Sequence, residues 1–446
     1  MDGQIHDPEA DEVEQEDGDD PKERLFEPSR YPASPELQRF VAEQTERLSV
    51  FETDTKRRKR QRKPKDQQRF ERVFLAILCD VIHAELTEAG SRRYVSFSKQ
   101  VLGCAGKGPD FITETFPAIV RGMSDPAMAL LELQLGAYSP FGGKRSTIRA
   151  GRYLRSSIKN LGFHFGDLGC DLELRGESIR LRGPKKTGQK RGDLMPVPTG
   201  EPADGFRREV DRLNHWYARA DLQCSVLPDG RQCDLSSRYL RRHFNNGRMD
   251  HGGRFFGAFW IGMKAKHRLE CLKIGGERVV SLDFGQCAIR IAYGQAGAPV
   301  PSGDLYEVDG LNGCRAGVKK VMNAFLHSSK ALSRFPRDTR PDFGDGLGFH
   351  QVLRAIAVRH APIAHLFNQG FGMAGFFIES QVIVKSLLDL MERGIVALPV
   401  HDCVVVPRSA ALIAKEVLLK SFREIAGAEG EVEMEQDRWI TSPLPR

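Results

Sequence analysis

The order of apolar and polar positions predicts a first half that is mostly helical. Apolar residues recur at helical spacing in several segments of this half: 35–47, 69–86, 108–137, 145–160 and 204–220. Residues 172–182 instead alternate like a pair of short strands. The pattern therefore predicts an α-rich region that precedes a second half of different character.

In the second half, apolar strands alternate with helical patterns. Arg278–Asp283 (RVVSLD) is typical of a buried strand that ends in a carboxylate, and the strands predicted at 395–400 and 403–406 flank His401 and Asp402 as a hairpin. Helices are predicted at four further segments: 288–294, 315–328, 379–393 and 410–425, the last with Ser409 as its N-cap. This mixture predicts an α/β fold.

Composition limits the class of protein. The chain has 446 residues, of which 40% are hydrophobic, enough for two or three domains with apolar cores. No run of about 18 apolar residues is present, so we expect no contact with a membrane. The N-terminus lacks the pattern of a signal peptide, and the nine cysteines lack zinc-ligand spacing. We therefore expect a cytoplasmic protein with reduced thiols.

The net charge of +7 conceals an asymmetry along the chain. Residues 1–23 carry a net charge of −10, which leaves +17 on the remainder, and eight of the ten residues at 56–65 are basic. The strongly basic remainder of the chain favours a polyanionic partner, most simply nucleic acid. We predict a disordered acidic head and basic arm at 1–65, an α-rich basic region at 66–240 that is thumb-like or binds template, and a catalytic domain at 241–446.

Two aspartates and one helix carry the candidate chemistry. Asp283 and Asp402 each end a β segment, and paired carboxylates suit Mg²⁺ ions that take further ligands from substrate phosphates. Between them lies a series of four polar residues spaced four apart, which share one helix face: Arg315, Lys319, Asn323 and His327. A cationic helix face opposite two carboxylates is what a triphosphate requires.

These residues lie in segments that resemble the family A DNA polymerases. Residues 281–290 (SLDFGQCAIR) resemble motif A of the palm, and residues 303–306 (GDLY) resemble the stretch that follows it. Arg315 and Lys319 resemble the start of motif B on the fingers helix, and residues 400–403 (VHDC) resemble motif C. The resemblance covers roughly residues 245–410, and the order of the motifs agrees with that of the family.

The departures from the family pattern point towards a related group. Ala288 and Cys403 stand where the family carries Glu, and Asn323 and His327 stand where it carries an aromatic residue and Tyr. The single-subunit phage-type RNA polymerases have a small residue at the first position and a non-acidic one at that of Cys403. Residues 249–255 (MDHGGRF) also resemble a segment of those RNA polymerases.

The resemblance implies a polymerase palm and fingers in the C-terminal half, beside an α-rich basic N-terminal half. It implies three groups of site residues: metal ligands for two Mg²⁺ ions (Asp283, Asp402), nucleotide-binding residues (Arg254, Ala288, Arg315, Lys319, Asn323, His327) and a primer-binding residue (His401).

The expected function is template-directed extension of a 3′-OH end with nucleoside triphosphates on a DNA primer–template, with RNA and ribonucleotides as further possible substrates. One alternative is a primase-like or single-subunit RNA polymerase. Another, of a different class, is a non-catalytic nucleic-acid-binding protein with a degenerate palm. Retention of both Asp283 and Asp402 argues against the latter, because unpaired carboxylates are costly without a metal to bind.

Overall fold

The computed structural model describes residues 23–58, 60–97, 102, 110–136, 145–171, 174, 176–189, 191–228, 230, 233–344 and 346–436. The described chain mixes helices and sheets and divides into two compact units. The N-terminal unit consists of the described residues up to Gly176 together with Val226–Tyr239. The C-terminal unit consists of Glu177–Ser225 and the described residues from Leu240 onward.

The N-terminal unit surrounds a long buried helix. Its elements are β1 (Glu23–Leu25), β2 (Arg30–Pro32), α1 (Pro35–Asp54), α2 (Pro64–Thr87), β3 (Arg92–Val95), α3 (Phe116–Met123), β4 (Leu131–Gln134), β5 (Ser146–Ala150), α4 (Arg152–Leu161) and β6 (Leu168–Cys170). One sheet has the order β1-β3-β5-β4, and β2 pairs with β6. From Val73 to Ala84, nearly every residue of α2 is buried, which places this helix in the centre of the apolar core.

The C-terminal unit is built on two sheets. Its elements are β7 (Ile179–Arg182), β8 (Leu194–Met195), α5 (Ala203–Arg219), β9 (Leu222–Cys224), β10 (Arg241–Phe244), β11 (Gly252–Phe256), α6 (Ala265–Cys271), β12 (Leu272–Ile274), β13 (Glu277–Phe284), α7 (Cys287–Gln295), α8 (Arg315–His327), α9 (Phe349–Arg359), α10 (Gly372–Glu392), β14 (Leu398–Val400), β15 (Cys403–Pro407), α11 (Ala411–Ala426) and β16 (Val432–Gln436).

The larger of the two sheets centres on β13. The strand order is β14-β15-β13-β12-β9, and β16 also pairs with β13. β13 is antiparallel to both β15 and β16, so its C-terminal half has a neighbour on each side. The smaller sheet has the order β11-β10-β7-β8. A separate apolar core joins α7, α8 and α9 through residues such as Tyr293, Val321 and Ile356.

The helix predicted over 145–160 is wrong in its first third. Residues 146–150 form β5, which pairs with both β3 and β4, and the helix α4 begins only after Gly151. A side chain at Gly151 would place its Cβ 2.3 Å from the carbonyl oxygen of Ala129, so the tight turn there admits only glycine. Pairing on both sides of β5 thus overrides the local helical pattern.

Part of the segment predicted to be disordered is folded. The head at 1–22 lies outside the described residues, but β1, β2 and α1 all lie before residue 65. The side chain of Ser34 caps α1 by accepting a hydrogen bond from the Leu37 backbone N–H, and Leu37 is fully buried. Within the basic arm, Arg57 pairs with Asp125, and Arg62 pairs with Glu52.

Other predicted elements differ at their ends. The helical pattern predicted over 108–137 is confirmed at α3 and wrong at residues 131–134, which form β4. The helix predicted at 379–393 begins seven residues earlier, as α10, and the sequence did not predict α9. Ser409 does not cap α11; its hydroxyl donates to Glu277 instead. Among the described residues, no helix is both long and apolar enough to cross a bilayer.

Candidate active site

The two candidate aspartates lie at the same end of the larger sheet. Asp283 is the penultimate residue of β13, and Asp402 lies in the turn between β14 and β15. The register pairs Asp283 with Cys403, and the Phe284 backbone N–H donates to the Asp402 carbonyl oxygen at 3.4 Å. His401 has a φ of +55°, a left-handed conformation that closes this tight turn. Sheet register therefore brings Asp283 and Asp402 together, as the sequence predicted.

Asp283 lies in a strongly negative environment. Although its side chain reaches solvent, the protein packed around it removes part of its hydration, and Asp402, Glu433 and Glu379 add negative charge. Together these effects raise the pKa of Asp283 to about 7. A carboxyl group whose ionisation is this unfavourable attracts a cation or a proton.

Glu433 and Glu379 were not singled out by the sequence analysis. Glu433 lies on β16 directly opposite Asp283, and side chains at directly paired positions project from the same face of an antiparallel sheet. Glu379 lies on α10 and is almost fully buried. The alternation of acidic residues over 431–435 (EVEME) is the sequence signal that could have identified Glu433; Glu379 has no comparable signal, because no other acidic residue lies within nine positions of it on the largely apolar helix α10.

Glu379 is paired with Arg254. The Arg254 Nε lies 2.8 Å from one carboxylate oxygen of Glu379, and its Nη2 lies 3.1 Å from the other. This bidentate ion pair is largely buried. The Arg254 guanidinium also lies 4.0 Å from the centre of the Phe376 ring. The structure thus holds Arg254 against α10 through Glu379, the same carboxylate whose charge acts on Asp283.

A second buried arginine fixes the strand that carries Arg254. The Arg242 Nε donates to the Gly253 carbonyl oxygen at 2.8 Å, and its other nitrogens bind Glu209 at 3.1 Å and the Ser380 hydroxyl at 3.0 Å. Burial lowers the pKa of Arg242 to about 10 despite Glu209. Gly253 has a φ of +89°, and a Cβ there would lie 2.5 Å from the Ser380 Oγ, so β11 approaches α10 only because this residue is glycine.

Cys287, the first residue of α7, lies where several of these groups converge. Burial raises the pKa of the Cys287 thiol well above its ordinary value, and the charges on Glu379 and Asp402 raise it further. Arg254 and Asp283 also act on this thiol. Charges from β11, β13, α10 and the β14–β15 turn therefore all act on the start of α7.

The polar face of α8 is arranged as predicted. Lys319, Asn323 and His327 are half-buried and Arg315 is exposed, whereas Val318 and Met322, which lie between them in sequence, are buried in the apolar core. The four polar residues therefore share the face that points away from that core.

Arg315 is tied to the turn that follows β13. Its Nε pairs with Asp304, and Asp304 also accepts a hydrogen bond from the Gln286 side chain at 3.1 Å. The hydrogen bond from Arg315 to Asp304 raises the pKa of Arg315, and the negative charge of Glu433 raises it further. The charge of one member of the carboxylate cluster therefore acts on the start of α8.

His327 reaches the site through Phe376. The His327 and Phe376 ring centres are 4.8 Å apart, and Phe376 also contacts the Arg254 guanidinium. A Cβ at Gly372 would lie 2.0 Å from the His327 Nδ1, so glycine at the start of α10 is what admits the imidazole. The structure thus places Phe376 in contact with both His327 and Arg254. The sequence predicted that these two residues bind the nucleotide but did not predict this shared contact.

The remaining predicted residues lie around this cluster. Ala288 is the second residue of α7 and packs, partly buried, against the α7–α9 core. The His401 ring lies 5.9 Å from that of Phe256. Cys403 is buried, with its Sγ 2.8 Å from the Ser281 Oγ, and burial raises the pKa of this thiol to about 12. Cys403 is therefore a neutral group of the sheet and does not replace the missing acid.

Among the described residues, no group of three or more His, Cys, Asp or Glu side chains is arranged to hold a metal ion. Asp283 and Asp402 form a pair, not a complete protein cage. Such a pair matches the way in which Mg²⁺ is commonly held, by one or two carboxylates plus substrate phosphates and water.

No family model matches the chain, and no curated protein matches it. Among solved structures, it is similar to the polymerase domain of Pol1 from M. smegmatis in complex with DNA primer–template and dNTP, with 15% identity and a TM-score of 0.29. The match covers 57% of this chain and 57% of that domain, so the chain spans little more than half of its length. A similarity this distant carries no argument about the site.

Proposed function

We propose that the chain is a template-directed nucleotidyltransferase that extends a 3′-OH end with nucleoside triphosphates. The observation that carries the proposal is the meeting of Asp283 and Asp402 at one sheet end, where the pKa of Asp283 is raised to about 7. The ordered motifs that resemble family A DNA polymerases add to this observation. DNA primer–template is the proposed partner.

Asp283 and Asp402 would hold two Mg²⁺ ions through their carboxylates. Ions bound there would activate the attacking 3′-oxygen and neutralise the charge on the leaving phosphate. The anionic surroundings of Asp283 support this assignment, since a cation relieves the repulsion that raises its pKa. β13 carries Asp283, and the tight turn between β14 and β15 carries Asp402, so the sheet fixes the backbone of both residues.

The polar face of α8 would bind the triphosphate. Lys319 and Arg315 supply positive charge, and Asn323 and His327 would line the pocket for the nucleotide or the template base. Arg315 would exchange Asp304 for a phosphate, because the Arg315 side chain is half-exposed and its ion pair is therefore weak. Arg254, held by Glu379, would approach the primer end or the incoming nucleotide, and His401 would lie beside the primer strand.

A primase-like or single-subunit RNA polymerase is the second candidate. Ala288 favours it, because a methyl group offers no obstacle to a ribose 2′-OH where the DNA polymerases carry Glu. A non-catalytic protein with a degenerate palm is the candidate of another class. Cys403 favours it, since a buried neutral thiol adds no acid to the site.

Primer extension separates these functions. The purified chain is given a labelled primer on DNA and on RNA templates, with Mg²⁺ and either four dNTPs or four NTPs. Extension with dNTPs supports a DNA polymerase, and extension with NTPs alone, or synthesis without a primer, supports the RNA-polymerase candidate. Template binding without extension in every combination would contradict the proposed function.

A further inference from the structure

The C-terminal unit has a second concave surface that the proposed active site does not use. It is a groove of about 780 Å³ that we call the α5 groove, formed by one side of α5 and by Met391 and Val396 at the far end of α10 and beyond it. Its α5 wall is continuous, with residues 208, 211, 212, 215, 216 and 219 at helical spacing. A groove of this size accommodates a ligand as large as a nucleotide.

The floor of the α5 groove is aromatic and apolar. Trp216 lines it beside Met391 and Val396. The indole Nε1 of Trp216 is buried, and none of the described residues accepts a hydrogen bond from it. Because this nitrogen is inaccessible, Trp216 offers a ligand its ring, on which a planar group can stack, and not its N–H.

The rim of the α5 groove is rich in arginine. Arg208 and Arg212 form ion pairs with Glu201 at 2.5 Å and Glu392 at 3.5 Å, but all four side chains are more than half exposed, so phosphates can displace these carboxylates at little cost. Arg219 forms no ion pair with any described residue. Asp211 and Asp221 also line the groove. They repel an anionic ligand, so such a ligand binds only where its negative groups contact the arginines.

The spacing of the arginines indicates the length of the occupant. At about 1.5 Å per residue, Arg208 and Arg219 are separated by about 16 Å along the helix axis. A single phosphate cannot contact both, whereas a strand of a few nucleotides, at about 3.4 Å or more per nucleotide, can. Arginines along a groove with an aromatic floor are the combination that binds single strands: the phosphates follow the charges and a base stacks on the ring.

We infer that the α5 groove binds a segment of single-stranded nucleic acid, with its phosphates on Arg208, Arg212 and Arg219 and a base on Trp216. This inference does not require that the chain be a polymerase.

The test measures binding of a fluorescein-labelled dT20 oligonucleotide by anisotropy. The Asp283→Asn chain in EDTA, without nucleotides, serves as the background, so that neither catalysis nor Mg²⁺ contributes. Replacing Arg208, Arg212 and Arg219 together with Gln should weaken binding about tenfold or more and reduce the salt slope of log K by about 2. The matched control replaces three exposed lysines of the same unit with Gln, namely Lys266, Lys273 and Lys420, and should weaken binding about twofold or less. Equal losses in the two triple variants would overturn the inference.

Trp216 is tested separately from charge. Trp216→Ala should weaken dT20 binding about fivefold or more, whereas Trp216→Phe, which keeps a ring, should keep most of the affinity. Thermal unfolding of both variants separates lost binding from lost folding. Irradiation of the unsubstituted chain with an oligonucleotide that carries 5-iododeoxyuridine should crosslink the tryptic peptide 213–219, which contains Trp216. Crosslinks confined to other peptides, or equal affinities of the Ala and Phe variants, would contradict the assignment.

Discussion

Each compact unit contains a cluster of interacting charged side chains, and the two clusters differ in their balance of charge. In the N-terminal unit, Asp80 is completely buried, with the Arg93 Nε at 3.0 Å and the Arg30 Nε at 3.4 Å. The His83 Nε2 lies 2.5 Å from Asp234, and the Arg93 Nη2 lies 3.2 Å from the other His83 nitrogen. Burial alone would raise the pKa of Asp234, but His83 and Arg30 hold it below its ordinary value. Each acid in this network has a cationic or hydrogen-bonding partner.

The cluster around Asp283 is not balanced. Four carboxylates act there, of which Glu379 has Arg254 as its partner, and the pKa of Asp283 is raised where that of Asp234 is lowered. The first cluster is typical of a network that specifies a fold. The cluster around Asp283 holds carboxylates that repel one another at a rigid position, which is typical of a site that binds a cation or a substrate. The direction of the pKa shift thus distinguishes the balanced cluster from the unbalanced one.

The largest effect on stability is expected in the balanced cluster. Asp80→Asn leaves Arg93 buried without its carboxylate partner and leaves Arg30 with Asp234 alone, at 3.9 Å, so it should lower the free energy of unfolding by about 3–5 kcal/mol, as measured by denaturant titration. Asp66→Asn is the matched control on the same helix. Asp66 is half-exposed and lies 3.8 Å from Arg69, so its loss should cost about 1 kcal/mol or less. Equal effects of the two substitutions would show that the network around Asp80 contributes little.

The next effect concerns the sugar of the incoming nucleotide. If Ala288 leaves the 2′ position open, the chain should use ribonucleotides measurably, because an apolar pocket rejects an added hydroxyl by only about 10² or less. Ala288→Glu should suppress this use and largely keep the use of dNTPs. Single-nucleotide insertion kinetics on one primer–template measure the rate of insertion of a dNTP and that of an NTP for each protein. Strong exclusion of NTPs by the unsubstituted chain would show that another group closes the pocket.

The smallest effect is expected at Asp283, and its sign is opposite to that at Asp80. Above pH 7, Asp283 is ionised in both the folded and the unfolded chain, and its raised pKa means that the folded state disfavours the charge. Asp283→Asn should therefore stabilise the metal-free chain at pH 8 by about 1 kcal/mol, a small value because the side chain reaches solvent.

The gain from Asp283→Asn should shrink as the pH falls through 7 and vanish below about 4, where the carboxyl group is protonated in both states. Thermal unfolding in EDTA at several pH values measures it. Glu433→Gln should act in the same direction and less strongly, since Glu433 is one of several groups that raise the pKa of Asp283. Destabilisation by Asp283→Asn at pH 8 would mean that the cluster is balanced by charges other than those described.

The sequence predicted the parts of the site that lie on strong local patterns. The strand before Asp283, the hairpin around Asp402 and the polar face of α8 follow from apolar periodicity, and the structure contains all three. Glu379 and Glu433 were missed because their roles depend on pairing across the fold: one meets Arg254 from a different helix, and the other faces Asp283 by sheet register. The strand β5 was missed because one of its two neighbours, β3, is distant in sequence and pairs Val95 with Ser146.

The most direct test of the proposed function compares primer extension by the unsubstituted chain and by Asp402→Asn under single-turnover conditions with Mg²⁺. If Asp283 and Asp402 hold the catalytic ions, the substitution should reduce the extension rate by about 10³ or more, while template affinity and the unfolding temperature stay nearly unchanged. The Asp80→Asn chain, tested below its unfolding temperature, should extend primers at a near-normal rate. Near-normal extension by Asp402→Asn would contradict the assignment of the active site.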